Sequence, residues 1–127
     1  KYQVTNFPKS DTTTRWYEYH AGPPQYNPKY NFITYLSKQN NQTQLYAIHP
    51  DLKKGFQSVQ VMQLTSGSLS SGWHSWSSDG KWLAMDKSTA DEKSYDIYLM
   101  NYKTKKTIQL TSDVKYEQAP VIVEISK

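Results

Sequence analysis

Two stretches of this chain, 50 positions apart, carry the same pattern, and that internal repeat constrains the fold more than any other feature. Tyr26-Asn27-Pro28-Lys29-Tyr30-Asn31-Phe32-Ile33-Thr34-Tyr35 aligns with Trp76-Ser77-Ser78-Asp79-Gly80-Lys81-Trp82-Leu83-Ala84-Met85. Aromatic 26 falls on aromatic 76, Phe32 on Trp82 and Ile33 on Leu83. Further along, Gln44-Leu45-Tyr46-Ala47-Ile48 corresponds to Asp96-Ile97-Tyr98-Leu99-Met100. Met62-Gln63-Leu64-Thr65 then corresponds to the run that begins at Thr107 or Ile108 and ends Gln109-Leu110-Thr111. The offset drifts from 50 to 52 to 46, which puts the insertions in loops, the largest over 50–58.

The second copy shows what one unit contains. Ser78-Asp79-Gly80 separates two apolar runs, and Gly80 can take φ > 0 without a Cβ penalty, so this is hairpin chemistry. Strands are predicted over 74–77, 81–87, 95–101 and 106–111. Four closely spaced antiparallel strands repeated at about this period are the signature of radially arranged blades. The fold class expected is therefore all-β, with β-propeller blades made of four-stranded antiparallel sheets, incomplete or part of a larger propeller.

The same reading divides the chain. Residues 1–25 hold the end of a preceding blade, with Gln3-Val4-Thr5 as a third copy of the Gln-Leu-Thr triplet, and a long aromatic and proline-bearing loop over 8–24. Residues 26–72 form a first full blade with a degenerate repeat, and 73–116 a second, well-matched one. Residues 117–127 start a further blade or a closing strand, although Val121-Ile122-Val123-Glu124-Ile125 departs from the pattern. Gly67-Ser68-Leu69-Ser70-Ser71-Gly72 reads as the linker between blades. Within 81–87, Leu83 and Met85 face one way and Trp82 and Ala84 the other; Ile97 and Leu99 likewise oppose Tyr98 and Met100. Strands apolar on both faces are expected to be packed on both sides.

Composition bounds the rest. Among 127 residues there are 11 Tyr and 4 Trp, and only 36% are hydrophobic, a mixture that favours strands joined by polar turns. Cysteine is absent, which excludes thiolate metal sites, disulfides and thiol catalysis within the chain and fits a periplasmic or secreted protein. There is no run of about 18 apolar residues, so no membrane insertion is expected. The chain starts at Lys1 rather than Met, which reads as a processed or trimmed form or a fragment. The net charge of +4 is spread through turns, with one cluster at Lys103, Lys105 and Lys106. Lysines placed so protect exposed edges, and no nucleic-acid partner is expected.

His20, His49 and His74 have no His or carboxylate partner at a metal-binding spacing. Asp79, Asp86, Asp91, Glu92 and Asp96 form no matched acid–base pair, and Asp79 and Asp96 sit at repeat positions with turn and inter-strand roles. The Gly67–Gly72 stretch lacks the spacing of a Gly-x-Ser-x-Gly nucleophile elbow, and a phosphate loop is absent. Asn41-Gln42-Thr43 fits the glycosylation triplet but falls at a hairpin tip. No catalytic, cofactor-binding or metal-binding residue is assigned. Two readings of the aromatic loop stand side by side: a contact surface at Arg15, Trp16, Tyr17, Tyr19 and His20, since Arg and aromatic side chains supply interface area at low entropic cost, or rings that cap the edge of the first blade. Trp73 and His74 extend that contact surface at the start of a blade.

Taken in order, Trp76-Ser77-Ser78-Asp79-Gly80-Lys81, then Asp96-Ile97-Tyr98-Leu99-Met100, then Gln109-Leu110-Thr111 resemble the TolB-type, WD40-like propeller repeat. In that family the pattern is Trp-Ser-Pro-Asp-Gly, an apolar strand, Asp-Ile-Tyr and Leu-Thr. The motif positions here are Tyr26, Pro28, Trp76, Ser77, Asp79, Gly80, Asp96, Tyr98, Leu110 and Thr111. Ser78 replaces the usual proline, and the first copy keeps Pro28 but has Lys29-Tyr30 for Asp-Gly. The resemblance covers about 26–120. It implies a non-catalytic, periplasmic protein-interaction scaffold that binds no cofactor and whose partners are another protein or further blades. It equally implies two alternatives, a gating propeller within a larger prolyl-oligopeptidase-like hydrolase and a structural subunit of an envelope or redox complex. A family propeller has six or seven blades, so two blades with partial neighbours need cover from a longer chain or from partners.

Overall fold

In the computed structural model, residues 22–49, 60–89, 91, 93–112 and 116–125 are described. They form two four-stranded antiparallel sheets, and no helix occurs among them. The first sheet runs in chain order through β1 (Gln25–Asn27), β2 (Phe32–Gln39), β3 (Gln42–Ile48) and β4 (Val61–Gln63). The second repeats that order with β5 (Ser70–Trp76), β6 (Trp82–Ser88), β7 (Tyr95–Asn101) and β8 (Thr107–Gln109).

The register explains the drifting offset of the repeat. Tyr26 pairs with Ile33 as Trp76 pairs with Leu83. Tyr35 pairs with Tyr46 as Met85 pairs with Tyr98, and Tyr46 with Gln63 as Tyr98 with Gln109. Each shift in spacing therefore falls in a connection, where an inserted residue leaves the ladders intact. The β2–β3 hairpin turns on Asn40 and Asn41, both at positive φ (51° and 60°), the two-residue geometry that asparagine tolerates best.

Strand ends differ from expectation at one place in particular. β5 begins at Ser70, so the Gly/Ser stretch read as a linker is partly strand, with Ser70 opposite Ser88 and Ser71 opposite Lys87. Serine and glycine favour turns only while no neighbouring strand offers hydrogen bonds, and β6 offers them here. The pairing then slips between Ser71 and His74, leaving Gly72 and Trp73 as a bulge.

The core lies between the sheets. Leu45 from β3 meets Leu83 and Met85 from β6 and Met100 from β7, with Leu36, Leu64, Trp76 and Tyr98 around them. Burying a leucine or methionine completely stabilises by about 1.5–3 kcal/mol, so this cluster is the main cohesion between the sheets. Tyr35, Tyr46, Ile48 and Ile33 form a second cluster, their side chains on the other side of the alternation from Leu36 and Leu45. At one end of the interface Phe32, Trp76 and Tyr102 pack ring to ring, with centroids 5.2–5.7 Å apart. The second sheet is less enclosed than two-sided packing would give: Tyr95 to Leu99 of β7 are all half-buried, and Ile108 and Leu110 are exposed.

Residues 116–125 form no ladder. They are tied to the second sheet by single bonds, from Glu117 N to Tyr95 O (3.2 Å), from Ala119 N to Asp86 Oδ2 (2.9 Å) and from Ser75 Oγ to Pro120 O (2.8 Å). Ser78 also donates to the Glu124 carboxylate. Val121, Val123 and Ile125 point outward from this segment and are exposed.

Candidate functional site

The residues singled out in the sequence separate into three groups. Arg15, Trp16, Tyr17, Tyr19 and His20 lie outside the described residues. Trp73 is exposed (52%), while its neighbour His74 is buried (5%), so the bulge sends the two side chains to different surroundings. The repeat-motif residues occupy turns and strand ends.

The turn after β5 shows why the motif needs its residue types. Ser77 O accepts from Gly80 N at 2.8 Å, and Gly80 takes φ 68°. Ser77 Oγ donates to Asp79 Oδ1 (2.7 Å) and accepts from Trp82 N (3.0 Å), while Asp79 Oδ1 also accepts from Lys81 N (3.0 Å). The Ser77 hydroxyl, helped by the Lys81 amide, holds the Asp79 carboxyl below its ordinary pKa. In the first copy a single residue takes over, with Asn27 Oδ1 accepting from Lys29 N (3.0 Å) and Tyr30 N (3.2 Å). Tyr26 is exposed and donates to Asn31 Oδ1, and Pro28 lies within that turn.

The closing threonines are equally matched. Leu45 N donates to Thr65 Oγ1 and Ile97 N to Thr111 Oγ1, each at 2.9 Å. Asp96 accepts from Gln109 Nε2 across the β7–β8 pair (3.3 Å), and Tyr98 packs into the core between the sheets. Leu110 is exposed.

His74 sits in a polar junction between the sheets. Its Nε2 lies 2.8 Å from Thr34 Oγ1, which also accepts from Trp76 Nε1 (3.0 Å) and reaches Gln25 O (3.2 Å). All three contacts are satisfied when the neutral ring carries its proton on Nε2 and the threonine hydroxyl donates to Gln25. Burial lowers the His74 pKa to about 4, which keeps the ring neutral at physiological pH. A buried, neutral histidine, bonded through Nε2 to Thr34, joins the two sheets.

Asp86 is the residue whose placement sequence reasoning missed. It stands in β6 after Leu83-Ala84-Met85, is 1% exposed, and its carboxylate accepts from the backbone N–H groups of Ala119 and Trp73. Burial pushes its carboxyl above the ordinary pKa, partly offset by those two donors. Gly72 lies against it so closely that a Cβ there would overlap the carboxylate. The available signal was an aspartate directly after the apolar run Trp82–Met85, still within the strand.

Beside this carboxylate opens a cleft of about 520 Å³ between the β2–β3 hairpin and the start of β5, lined among others by Ser37, Gln42, Ser70, Trp73, Tyr95 and Gln118. Among the described residues no group of three His, Asp or Glu converges. Fold and junctions together define an all-β protein of two repeated four-stranded meanders, packed on each other and pinned by buried polar side chains. Compared with protein-family models and with curated protein sequences, the chain matches none.

Proposed function

We propose that this chain is a non-catalytic segment of a TolB-like β-propeller acting as a protein-interaction scaffold outside the cytoplasm. The observation that carries the reading is the repeated register. The second sheet has the order and pairing of the first and packs on it through buried leucine, methionine and aromatic side chains. Blades of a propeller are related in this way, each a meander that buries its faces only against its neighbours.

Exposed Ile108 and Leu110 at the end of the second sheet, and Val121, Val123 and Ile125 beyond it, are apolar surface of the kind a further blade or a protein partner would cover. Two sheets give the unit stiffness, and recognition falls to the connections between strands. Mass measurement by light scattering on the natural full-length product, joined to cross-linking of residues 116–125, tests the reading. Cross-links from this segment to further blades or to a co-purifying protein are expected. A monomer whose 116–125 segment cross-links only within residues 22–112 would overturn it.

A further inference from the structure

We propose that the cleft between the β2–β3 hairpin and the β5 bulge is a binding site for a neutral saccharide, with Trp73 as its stacking platform and Asp86 as the residue that positions that platform. The cleft is lined by residues of the two sheets and of the segments beside them, Gly22, Pro23, Thr89 and Gln118 among these, so the inference goes beyond the scaffold reading and does not need further blades. Its volume, about 520 Å³, suits a small ligand or a few sugar units.

Trp73 is half exposed on a bulge, and bulges are a recurrent means of re-aiming one side chain beside a site. A large aromatic ring left in water inside a cleft costs apolar exposure that nothing in the fold requires, because β5 already buries His74 and half-buries Trp76. The bulge is held from behind. Asp86 accepts the Trp73 N–H, and Gly72 supplies the room for the carboxylate. The carboxylate is thus used on backbone donors, Ala119 N being the other, and is not free to pair with a cationic ligand.

The lining selects the ligand class. Gln42, Ser70 and Gln118 present hydroxyls and carboxamides, groups that both donate and accept, and Tyr95 adds a phenol ring. Among the described lining residues only Lys38 and Asp86 are charged, one of each sign, so these residues offer no net charge to an ion. A flat indole beside a rim of donor–acceptor groups complements a pyranose ring, which has a face of polarised C–H bonds and a rim of hydroxyls. A peptide would instead call for apolar side-chain pockets, and among the described residues the aliphatic lining is limited to Leu36 and Pro23.

The test titrates the 127-residue chain by calorimetry with cellohexaose, laminarihexaose, maltohexaose and chitohexaose, and with an unstructured peptide pool as the competing class. At least one hexasaccharide is expected to bind at millimolar or lower concentration. Trp73→Ala should weaken that binding by about tenfold or more, and Trp73→Phe should restore most of it. Trp82→Ala, which removes an exposed tryptophan outside the cleft lining, should leave it unchanged. Asp86→Ala should lose binding and Asp86→Asn, which keeps a carbonyl acceptor for the backbone donors, should recover it. Silence toward every hexasaccharide, peptide binding in their place, or equal saccharide binding by Trp73→Ala would each overturn the proposal.

Discussion

Asn27 Nδ2 donates to the carbonyl oxygen of Gly80 at 3.0 Å, so one asparagine both closes its own turn and clips the corresponding turn of the following sheet. The carboxamide is fully buried and both of its ends are used. In the second copy the equivalent position is Ser77, which serves its own turn only through a hydroxyl and Asp79. The first copy has thus lost the Asp-Gly of the motif without losing the turn, because an amide supplies both an acceptor for the loop and a donor for the neighbour.

Asn27→Asp separates those two roles. The carboxylate keeps the acceptor for Lys29 and Tyr30 but places a buried charge against the Gly80 carbonyl. A loss of about 2–3 kcal/mol is expected, read as a lowered midpoint of urea unfolding. An unchanged midpoint would mean that the clip between the sheets contributes nothing.

Two glycines with positive φ should respond differently to alanine. At Gly80, φ is 68° and a Cβ would come within 2.8 Å of the Lys29 Cβ, whereas at Gly67, φ is 106° and no atom lies within 4 Å. Gly67→Ala should cost only backbone strain, about 1 kcal/mol, and Gly80→Ala at least about 2 kcal/mol, because strain and collision add. Thermal melts of the two variants side by side check the order.

The junction at His74 predicts an acid-sensitive fold. The ring titrates near pH 4 in the folded chain and near its ordinary 6.5 when unfolded, so between those values the unfolded chain binds more protons. The stability that comes from keeping the ring neutral is fully present above pH 6.5 and is lost as pH falls toward 4. Its size is on the order of 3 kcal/mol. Asp86, with its raised pKa, works in the opposite sense and retains its proton to higher pH in the fold. The difference between the protein and His74→Gln, followed from pH 7 to pH 4 by chemical unfolding, isolates the histidine. A parallel pH dependence in the two would refute the assignment.

Thr65 and Thr111 occupy the same place in the two sheets but carry different loads. Thr65 Oγ1 accepts from Leu45 N and Ser71 Oγ and donates to Gln44 Oε1, while Thr111 Oγ1 accepts from Ile97 N. Thr65→Val should cost about 2–3 kcal/mol by stranding a buried network. Thr111→Val should cost about 1 kcal/mol. Hydrogen exchange at the Leu45 and Ile97 amides gives the residue-level check.

The strands, their order and their pairing could be read from the chain because they rest on local rules. Period-two apolar runs, the Asn and Asp-Gly turns and the duplicated motif each act over a few residues, and the repeat carried the register from one sheet to the other. Asp79 and Gly80 were legible for the same reason, since their partners lie within a handful of positions. The burial of His74, the exposure of Trp73, the burial of Asp86 and the cleft beside it depend instead on which strands meet across the interface and on a one-residue slip between Ser71 and His74. His74 finds Thr34 from 40 positions away, and Asp86 holds Ala119 from 33. No pattern within β5 or β6 announces those contacts. Local propensity and periodicity determined the two sheets, and the packing of one on the other decided which polar residues became pins and that the Trp73 side chain was left exposed.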